Sequence, residues 1–244
     1  MNNQLEILAV IPARGGSKGL PGKNIRLLNG TPLIGYSIAA AKKSELTTRV
    51  ICTTDSEEIA NIACNLGAEI PFLRPKELAD DNSTDLEAFI HLLEWCAENE
   101  NYIPDIVVQL RPTSPLRPIG FVDSGIRKLL SDSSLDSLRT VRPAPITPYK
   151  MWTINEGADV LEPLLRVDGI PEPYNAPRQI LPEVWWQAGL LDVFRTETVT
   201  VQRSMSGKNI SYIKVRSEYA IDIDTIEDFE LAEKLVKQLE CVQP

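Results

Sequence analysis

The feature that most constrains this sequence is an apolar run that leads directly into a glycine-rich loop. Residues 7–11 are apolar and β-prone, and Pro12 follows them, which is typical of a buried strand that ends at the edge of a sheet. Glycines let the next segment turn its N–H groups toward an anion, which basic side chains neutralise. The residues concerned are Arg14, Gly15, Gly16, Ser17, Lys18, Gly19, Gly22 and Lys23. Open α/β sheets bind ligands at such loops.

Charge indicates the class of ligand. Residues 7–44 contain six basic residues and no acidic one, whereas the whole chain carries a formal net charge of −9. A local positive region in an acidic protein predicts a small polyphosphate ligand, and no basic stripe elsewhere favours nucleic acid. Known phosphate fingerprints do not match, because Lys23 is followed by Asn24 and no G-x-G-x-x-G spacing occurs. The alternative is a flexible surface turn with solvated lysines.

The rest of the sequence alternates strands with helices, which predicts right-handed βαβ units. Predicted strands cover residues 7–11, 49–55, 69–73, 105–110 and 211–215. Predicted helices cover residues 33–44, 56–66, 121–130 and 225–241, together with a long helix capped by Ser83 or Thr84. The fold class is therefore α/β, a Rossmann-like, mostly parallel sheet flanked by helices. A length of 244 residues suits a single domain, residues 1–244.

Residues 143–182 interrupt this alternation. They contain eight of the eighteen prolines and show neither helix nor strand period, so we expect an inserted arm. The arm has apolar residues with no periodicity to build a core of its own: Met151, Trp152, Leu161, Leu164 and Leu165. A partner surface would bury them, so we predict a homodimer; the alternative is a mobile surface excursion.

Two carboxylates, Asp222 and Asp224, are separated by one residue. Side chains alternate along an extended segment, so both acids lie on the same face. Hard oxygen ligands at this spacing suit Mg²⁺, which binds through one or two carboxylates plus phosphate oxygens and water. Alternatively they are solvated acids in which Asp224 caps the helix that starts near Thr225. The residues alone leave the two interpretations even.

Other features indicate an ordinary intracellular protein. No stretch is apolar enough to span a membrane, residues 1–6 do not resemble a signal peptide, and we expect a cytoplasmic location. The cysteines at 52, 64 and 96 lie in apolar surroundings, and with Cys241 they show no C-x-x-C spacing, which predicts reduced core thiols. His91 has no acid–base partner by spacing and reads as structural. Ser114 lacks the G-x-S-x-G context of a hydrolase nucleophile.

Six segments, in order, closely resemble the acylneuraminate cytidylyltransferases, the CMP-sialic acid synthetase family of sugar nucleotidyltransferases. They are IPARGGSKGLPGKN, TTDSEEIA, FLRPKELADDNSTD, QLRPTSPLR, APRQILPE and AIDIDTIEDFELAEKL. The resemblance implies an enzyme that transfers CMP from CTP to an acidic sugar of the nonulosonic or sialic acid type and releases pyrophosphate. It also implies Mg²⁺ on Asp222 and Asp224, and an arm that crosses to a second subunit and helps complete its active site.

The resemblance also assigns roles to single residues. It places the nucleotide on Arg14, Gly15, Gly16, Ser17, Lys18, Lys23, Asn24, Arg74 and Ser83. The acidic sugar is assigned to Arg111, Lys150, Arg178 and Gln179, and catalysis to Arg14, Lys23 and Asp224. Without the family context, Arg74 reads equally well as a surface ion pair.

The sequence departs from the family pattern near the expected acceptor site. Many relatives have Gln at the position of Arg111, and the segment after APRQILPE contains Trp185 and Trp186. One alternative is therefore a different acceptor, such as a phosphonate or another keto-sugar acid, with Arg111 binding its anion. Arg111 could instead pair with a neighbouring acid and touch no substrate. A further alternative is a non-catalytic nucleotide-binding protein.

Overall fold

The computed structural model describes residues 5–244. Strands β1 to β10 are, in order, Ile7–Pro12, Leu27–Leu28, Thr31–Pro32, Arg49–Thr53, Ile106–Gln109, Ser137–Pro143, Trp152–Asn155, Val160–Pro163, Trp185–Arg195 and Ile210–Lys214. Helices α1 to α6 are Leu33–Lys42, Glu57–Asn65, Asp85–Glu100, Phe121–Leu130, Thr196–Thr200 and Ile226–Leu235.

The core of the fold is a six-stranded sheet in the order β10–β6–β9–β5–β1–β4. β1 pairs in parallel with β4 and β5, and β6 pairs in parallel with β10. β9 lies between β5 and β6 and runs antiparallel to both. The predicted mostly parallel sheet is therefore confirmed. Because β1, β4 and β5 are parallel, the segments that follow them meet at one edge of the sheet.

Helices cover both faces of this sheet. Along β1, Ala9 and Ile11 belong to the larger apolar cluster, which contains residues of α1, α4 and α6. Leu8 and Val10 belong to a second cluster with residues of α3 and α5. This alternation is the period of two that a strand buried on both sides requires.

Side-chain caps fix where the helices begin. The Ser56 side chain accepts a hydrogen bond from the backbone N–H of Ile59 at the start of α2. Thr84, one of the two predicted caps, caps α3 and forms a capping box with Glu87. Within the described range, no helix is long and apolar enough to cross a membrane.

Several sequence predictions are wrong. Residues 69–73 form only an isolated bridge at Glu69, and the last helix ends at Leu235 rather than continuing to residue 241. β6 and the long strand β9 were not predicted; β9 lies antiparallel between β5 and β6, outside the alternation of strands with helices on which the prediction was based. Cys64 is exposed, whereas the other three cysteines are buried thiols.

The arm is more regular than its sequence indicated. β7 and β8 form an antiparallel hairpin, paired from Trp152 with Pro163 to Asn155 with Val160. The turn places Asp159 in the left-handed region at φ 54°. Large apolar side chains remain exposed along the hairpin, including Ile154 at 72% and Leu161 at 58%. Within one chain, therefore, the arm lacks a partner for its apolar surface.

Candidate active site

A cavity of about 380 Å³ lies at the sheet edge where β1 and β5 end. We call it the nucleotide-side cavity. Most of the residues expected to bind the nucleotide line it: Arg14, Ser17, Lys18, Lys23, Asn24, Arg74 and Ser83. Arg111 and Asp224 also line it, whereas Gly15 and Gly16 do not. Residues far apart in the sequence thus converge at the position where α/β sheets bind ligands.

Lys23 connects the loop to the acidic segment. It is only 8% exposed, and Gly22 before it adopts φ 65°. The Lys23 ammonium group donates to the backbone oxygen of Ile223 at 2.6 Å and to the Asp224 carboxylate at 2.9 Å. A buried cation needs such partners, so the loop and the acidic segment form one unit.

Gly19 shows how closely these two segments pack. A Cβ atom at position 19 would lie 2.5 Å from the backbone oxygen of Asp224. No side chain fits there without moving one of the two backbones. Gly19 therefore lets the cationic loop approach the carboxylate, a role that the glycine spacing alone does not reveal.

Two further hydrogen bonds hold the loop in its conformation. The Asp55 carboxylate, directly after β4, accepts the backbone N–H of Gly15 at 2.8 Å. The Asn24 amide donates to the backbone oxygen of Arg14 at 3.0 Å. Gly15 and Asn24 thus shape the loop.

The two outer cations of the loop are paired with acids across the cavity. The guanidinium of Arg14 lies 3.4 Å from the Asp81 carboxylate and donates to the backbone oxygen of Asp80 at 3.0 Å. The Lys18 ammonium group also pairs with Asp81. Lys18 holds the pKa of this exposed carboxyl below its ordinary value. The two cations that the sequence assigned to phosphate thus hold a carboxylate in this structure.

Arg74 is buried and forms part of the cavity wall. Its guanidinium donates to the backbone oxygens of Thr53 at 2.7 Å and Leu78 at 3.3 Å. It forms no ion pair with the described residues, so the surface ion-pair interpretation is wrong. Burial lowers the pKa of Arg74, and Asp55 partly opposes this effect. Ser83, also on the wall, donates to the backbone oxygen of Glu77 at 2.9 Å.

Arg111 is held by two carboxylates. Its guanidinium donates to Asp192 at 2.7 Å and to Asp85 at 3.1 Å. The Asp192 side chain is only 4% exposed. Burial lowers the pKa of Arg111, but the two acids outweigh it and the net pKa is raised. This is the arrangement in which Arg111 pairs with neighbouring acids.

Comparison with known proteins identifies the family. A family model described as cytidylyltransferase matches residues 8–144, which is more than half of the chain and includes the loop, Arg74 and Arg111. The chain belongs to the cytidylyltransferase family. It is therefore a nucleotidyltransferase, and the sequence resemblance is confirmed at this level.

Full-length relatives narrow the comparison. The chain is 34% identical over 236 residues to the CMP-N,N′-diacetyllegionaminic acid synthase of Legionella pneumophila, covering 96% of this chain and 97% of that protein. It is 32% identical over 231 residues to the pseudaminic acid cytidylyltransferase of Campylobacter jejuni, covering 94% and 96%. A solved CMP:2-keto-3-deoxy-manno-octonic acid synthetase, complexed with CTP, superposes with a TM-score of 0.69 at 16% identity, covering 96% of this chain and 99% of that one.

Cytidylyltransferases of this type generally use a divalent metal, and the acidic segment fits one. Asp222 and Asp224 are both exposed, and buried Ile223 between them donates its N–H to the backbone oxygen of Thr113 at 2.8 Å. The N-cap of α6 is Thr225 rather than Asp224, so Asp224 is not needed as a cap. Residues 5–244 contain no group of three or more side chains that could hold a metal by themselves.

A second cavity, of about 370 Å³, lies on the other side of Asp222. It is lined by residues of β6, β9, the segment before α6, and α6 itself. Asp222 borders this cavity and Asp224 the nucleotide-side cavity, so the acidic segment separates the two. Sequence reasoning did not predict a division between the two acids.

The arm residues lie apart from both cavities. Arg178 donates to the backbone oxygens of Ala144 at 2.6 Å and Pro145 at 3.4 Å, and with Gln179 it lines a groove of about 390 Å³ at the base of the arm. Lys150 is exposed. Within one chain, these three residues are not brought to the nucleotide.

Several functional residues were missed by sequence reasoning. Asp81 and Asp85 lie in the quoted segment FLRPKELADDNSTD, where their acidity was a usable signal. Asp192 lies in an apolar strand, where a lone acid indicates a buried partner.

The two residues that the sequence analysis took as non-catalytic are packed in the fold. His91 packs edge-on against Phe72 with ring centroids 4.9 Å apart, and Ser114 is fully buried.

Proposed function

We propose that this cytidylyltransferase transfers CMP from CTP to an acidic sugar of the nonulosonic acid type and releases pyrophosphate. One observation carries the proposal: three cations of one loop converge on a cavity that an acidic residue closes from the opposite side. The acceptor class follows the relatives, whose names specify legionaminic and pseudaminic acids.

The reaction needs no protein nucleophile. A hydroxyl of the acceptor attacks the α-phosphorus of CTP and forms a new P–O bond. The bond from the α-phosphorus to the bridging oxygen breaks, pyrophosphate leaves with the electron pair, and the hydroxyl proton passes to solvent. Positioning and electrostatic stabilisation supply most of the catalysis in phosphoryl-type transfer.

The loop cations bind the triphosphate and stabilise the leaving pyrophosphate. Arg14 and Lys18 exchange the carboxylate of Asp81 for phosphate oxygens when CTP binds. Lys23 stays on the acidic segment and faces the reacting phosphate, where a fixed cation stabilises developing negative charge. Arg74 and Ser83, on the opposite wall, bind cytosine and ribose.

Asp222 and Asp224 hold the metal, which we propose is Mg²⁺. Bound Mg²⁺ offsets phosphate charge and lowers the pKa of a hydroxyl at its surface. Lys23 donates to Oδ1 of Asp224 and so holds in place a carboxylate that would bind the metal.

We propose that the chain is a single domain and that its residues 143–182 form an arm that completes the site of a second subunit in a homodimer. The exposed apolar side chains of the hairpin supply the contact surface. Lys150, Arg178 and Gln179 then reach the acidic sugar of the partner subunit. The four unpaired thiols suit a cytoplasmic enzyme.

Pyrophosphate release tests this function. Purified protein with Mg²⁺ is given CTP, ATP or GTP and, in turn, N,N′-diacetyllegionaminic acid, pseudaminic acid, N-acetylneuraminic acid or a phosphonate. We expect release with CTP and at least one sugar acid, together with an equimolar CMP-sugar. Equal turnover with ATP, or release with the phosphonate alone, would contradict the proposal. Geometry disfavours the phosphonate, because Asp192 and Asp85 already hold Arg111.

A further inference from the structure

The second cavity contains a cation that the loop, the arm and the metal do not use. Arg142, near the end of β6, lines this cavity together with Asp222. Arg142 is partly buried and forms no hydrogen bond or ion pair with the described residues. Of the residues described, it is the only cation that lines this cavity.

The contrast with Arg111 is informative. Arg111 donates to two carboxylates and to the Gln109 amide oxygen, whereas Arg142 keeps its full set of donors. A guanidinium that cannot lose its proton and has no internal partner prefers a planar anion in a bidentate geometry. Arg142 is therefore better placed than Arg111 to bind a carboxylate.

An apolar surface lies beside Arg142. Trp186 pairs directly with Arg142 across β6 and β9, so the two side chains lie on the same face of the sheet. Trp186 is 53% exposed, and Leu231 of α6, on the opposite wall, is 47% exposed. The cavity thus offers one cation and two apolar surfaces, which matches a sugar acid with acyl or methyl groups.

The acidic residues around the cavity do not cancel Arg142. Glu218 pairs with Arg216 at 3.2 Å. The Asp228 carboxylate accepts the backbone N–H groups of Asp224 and Thr225 and serves as a helix cap. Asp222 remains, and it is the residue expected to hold the metal.

We propose that the second cavity is the acceptor subsite, in which Arg142 binds the acceptor carboxylate and Trp186 packs against its apolar part. This inference rests on the proposed function. The acceptor then lies beside Asp222 and CTP beside Asp224, and an in-line displacement requires the acceptor hydroxyl to meet the α-phosphorus opposite the leaving pyrophosphate. It transfers to Arg142 the anion binding that the sequence assigned to Arg111.

Acceptor Michaelis constants at saturating CTP test the inference, with whichever of the three sugar acids the wild-type enzyme uses. Arg142→Gln should raise the acceptor constant roughly 10- to 100-fold, the effect of losing charge-assisted hydrogen bonds, and leave the CTP constant unchanged. The acceptor Michaelis constant of Arg142→Lys should lie between those of the wild type and Arg142→Gln. Arg127→Gln, which removes an exposed cation paired with Glu45, is the matched control and should match wild type.

The outcomes separate the two proposals. If wild-type enzyme releases no pyrophosphate with any sugar acid, the proposed function fails and this inference fails with it. If wild type is active but Arg142→Gln leaves the acceptor constant unchanged, only the inference is overturned. Sedimentation of Arg142→Gln provides the last arm, since dissociation of a dimer without a change in the acceptor constant would assign Arg142 to a subunit contact.

Discussion

The glycine loop and the arm both carry cations, but the chain treats them differently. The loop cations are tied to acids of the same chain: Lys23 to Asp224, and Arg14 and Lys18 to Asp81. The arm projects an exposed hairpin, and Lys150 at its base is exposed. The loop cations are therefore positioned by contacts within one chain, whereas the arm exposes an apolar surface of the kind that marks interaction sites.

Asp224→Asn is the sharpest test of the loop half. The amide keeps the size of the side chain but loses the charge that pairs with Lys23 and that we propose holds the metal. We expect turnover to fall roughly 10²–10³-fold, as for loss of other transition-state stabilisers, with the fold intact by circular dichroism. Glu227→Gln, a nearby acid outside both cavities, should keep full activity. Near-normal activity of Asp224→Asn across a Mg²⁺ titration would remove the metal assignment.

Gly19→Ala and Gly16→Ala test the closeness of loop and acidic segment. A methyl group at position 19 would lie 2.5 Å from the Asp224 backbone oxygen, whereas none of the nearby atoms lies within 4 Å at position 16. We expect kcat/KM for CTP to fall about 10- to 100-fold in Gly19→Ala, since small misplacements cost that much. Gly16→Ala should stay within a factor of about three of wild type, as expected where no steric contact forms. Equal effects in both variants would show that loop flexibility, not the contact, matters.

Arg111→Gln tests whether this arginine is structural. The change leaves Asp192 buried without its cation, so the free energy of unfolding should fall by about 2–4 kcal/mol in urea titrations. Adding Asp192→Asn should recover part of that loss, because the double variant has no unpaired buried charge. The acceptor Michaelis constant should change little. A stable variant with a strongly raised acceptor constant would restore the alternative in which Arg111 binds the acceptor.

Thr225→Ala tests the capping box of α6, for which we expect the smallest effect on stability. Thr225 and Asp228 form the capping box of α6, directly after Asp224. We expect a loss of about 1 kcal/mol in unfolding free energy, and Thr225→Ser should retain most of it. If Thr225→Ala matched wild type in stability, the cap would not contribute to holding the acidic segment.

The sequence predicted the loop half well because its signals are local. The strand before the loop, the capping box at Thr84 and the helix over residues 121–130 each depend on neighbouring residues. The same is true of the cations, whose types and order indicate a phosphate site. What the sequence could not provide was their pairing with Asp81, because that contact depends on where the segment after β4 folds back.

The part of the site around β9 and α6 depends on contacts between distant segments, which local sequence patterns do not encode. β9 runs antiparallel between β5 and β6, although it follows both at a distance in the sequence, and it brings Asp192 to Arg111. The same strand places Trp186 opposite Arg142. The division of Asp222 and Asp224 between two cavities depends on β9 and α6 together. The assignment of the acceptor anion to Arg111 therefore stays a prediction, and its pairing with Asp192 and Asp85 could not be predicted from the local sequence.

Subunit complementation tests most directly whether the two halves come from different chains. Asp224→Asn damages the loop side of the site. Arg178→Met damages the arm, because the Arg178 guanidinium donates to the backbone oxygens of Ala144 and Pro145. Each variant alone should be nearly inactive. After mixing and subunit exchange, a heterodimer has one site with both halves intact, so activity should return to about a quarter of the wild-type rate for a random mixture of dimers. If exchange is verified and the mixture stays inactive, both halves belong to one chain and the account is contradicted.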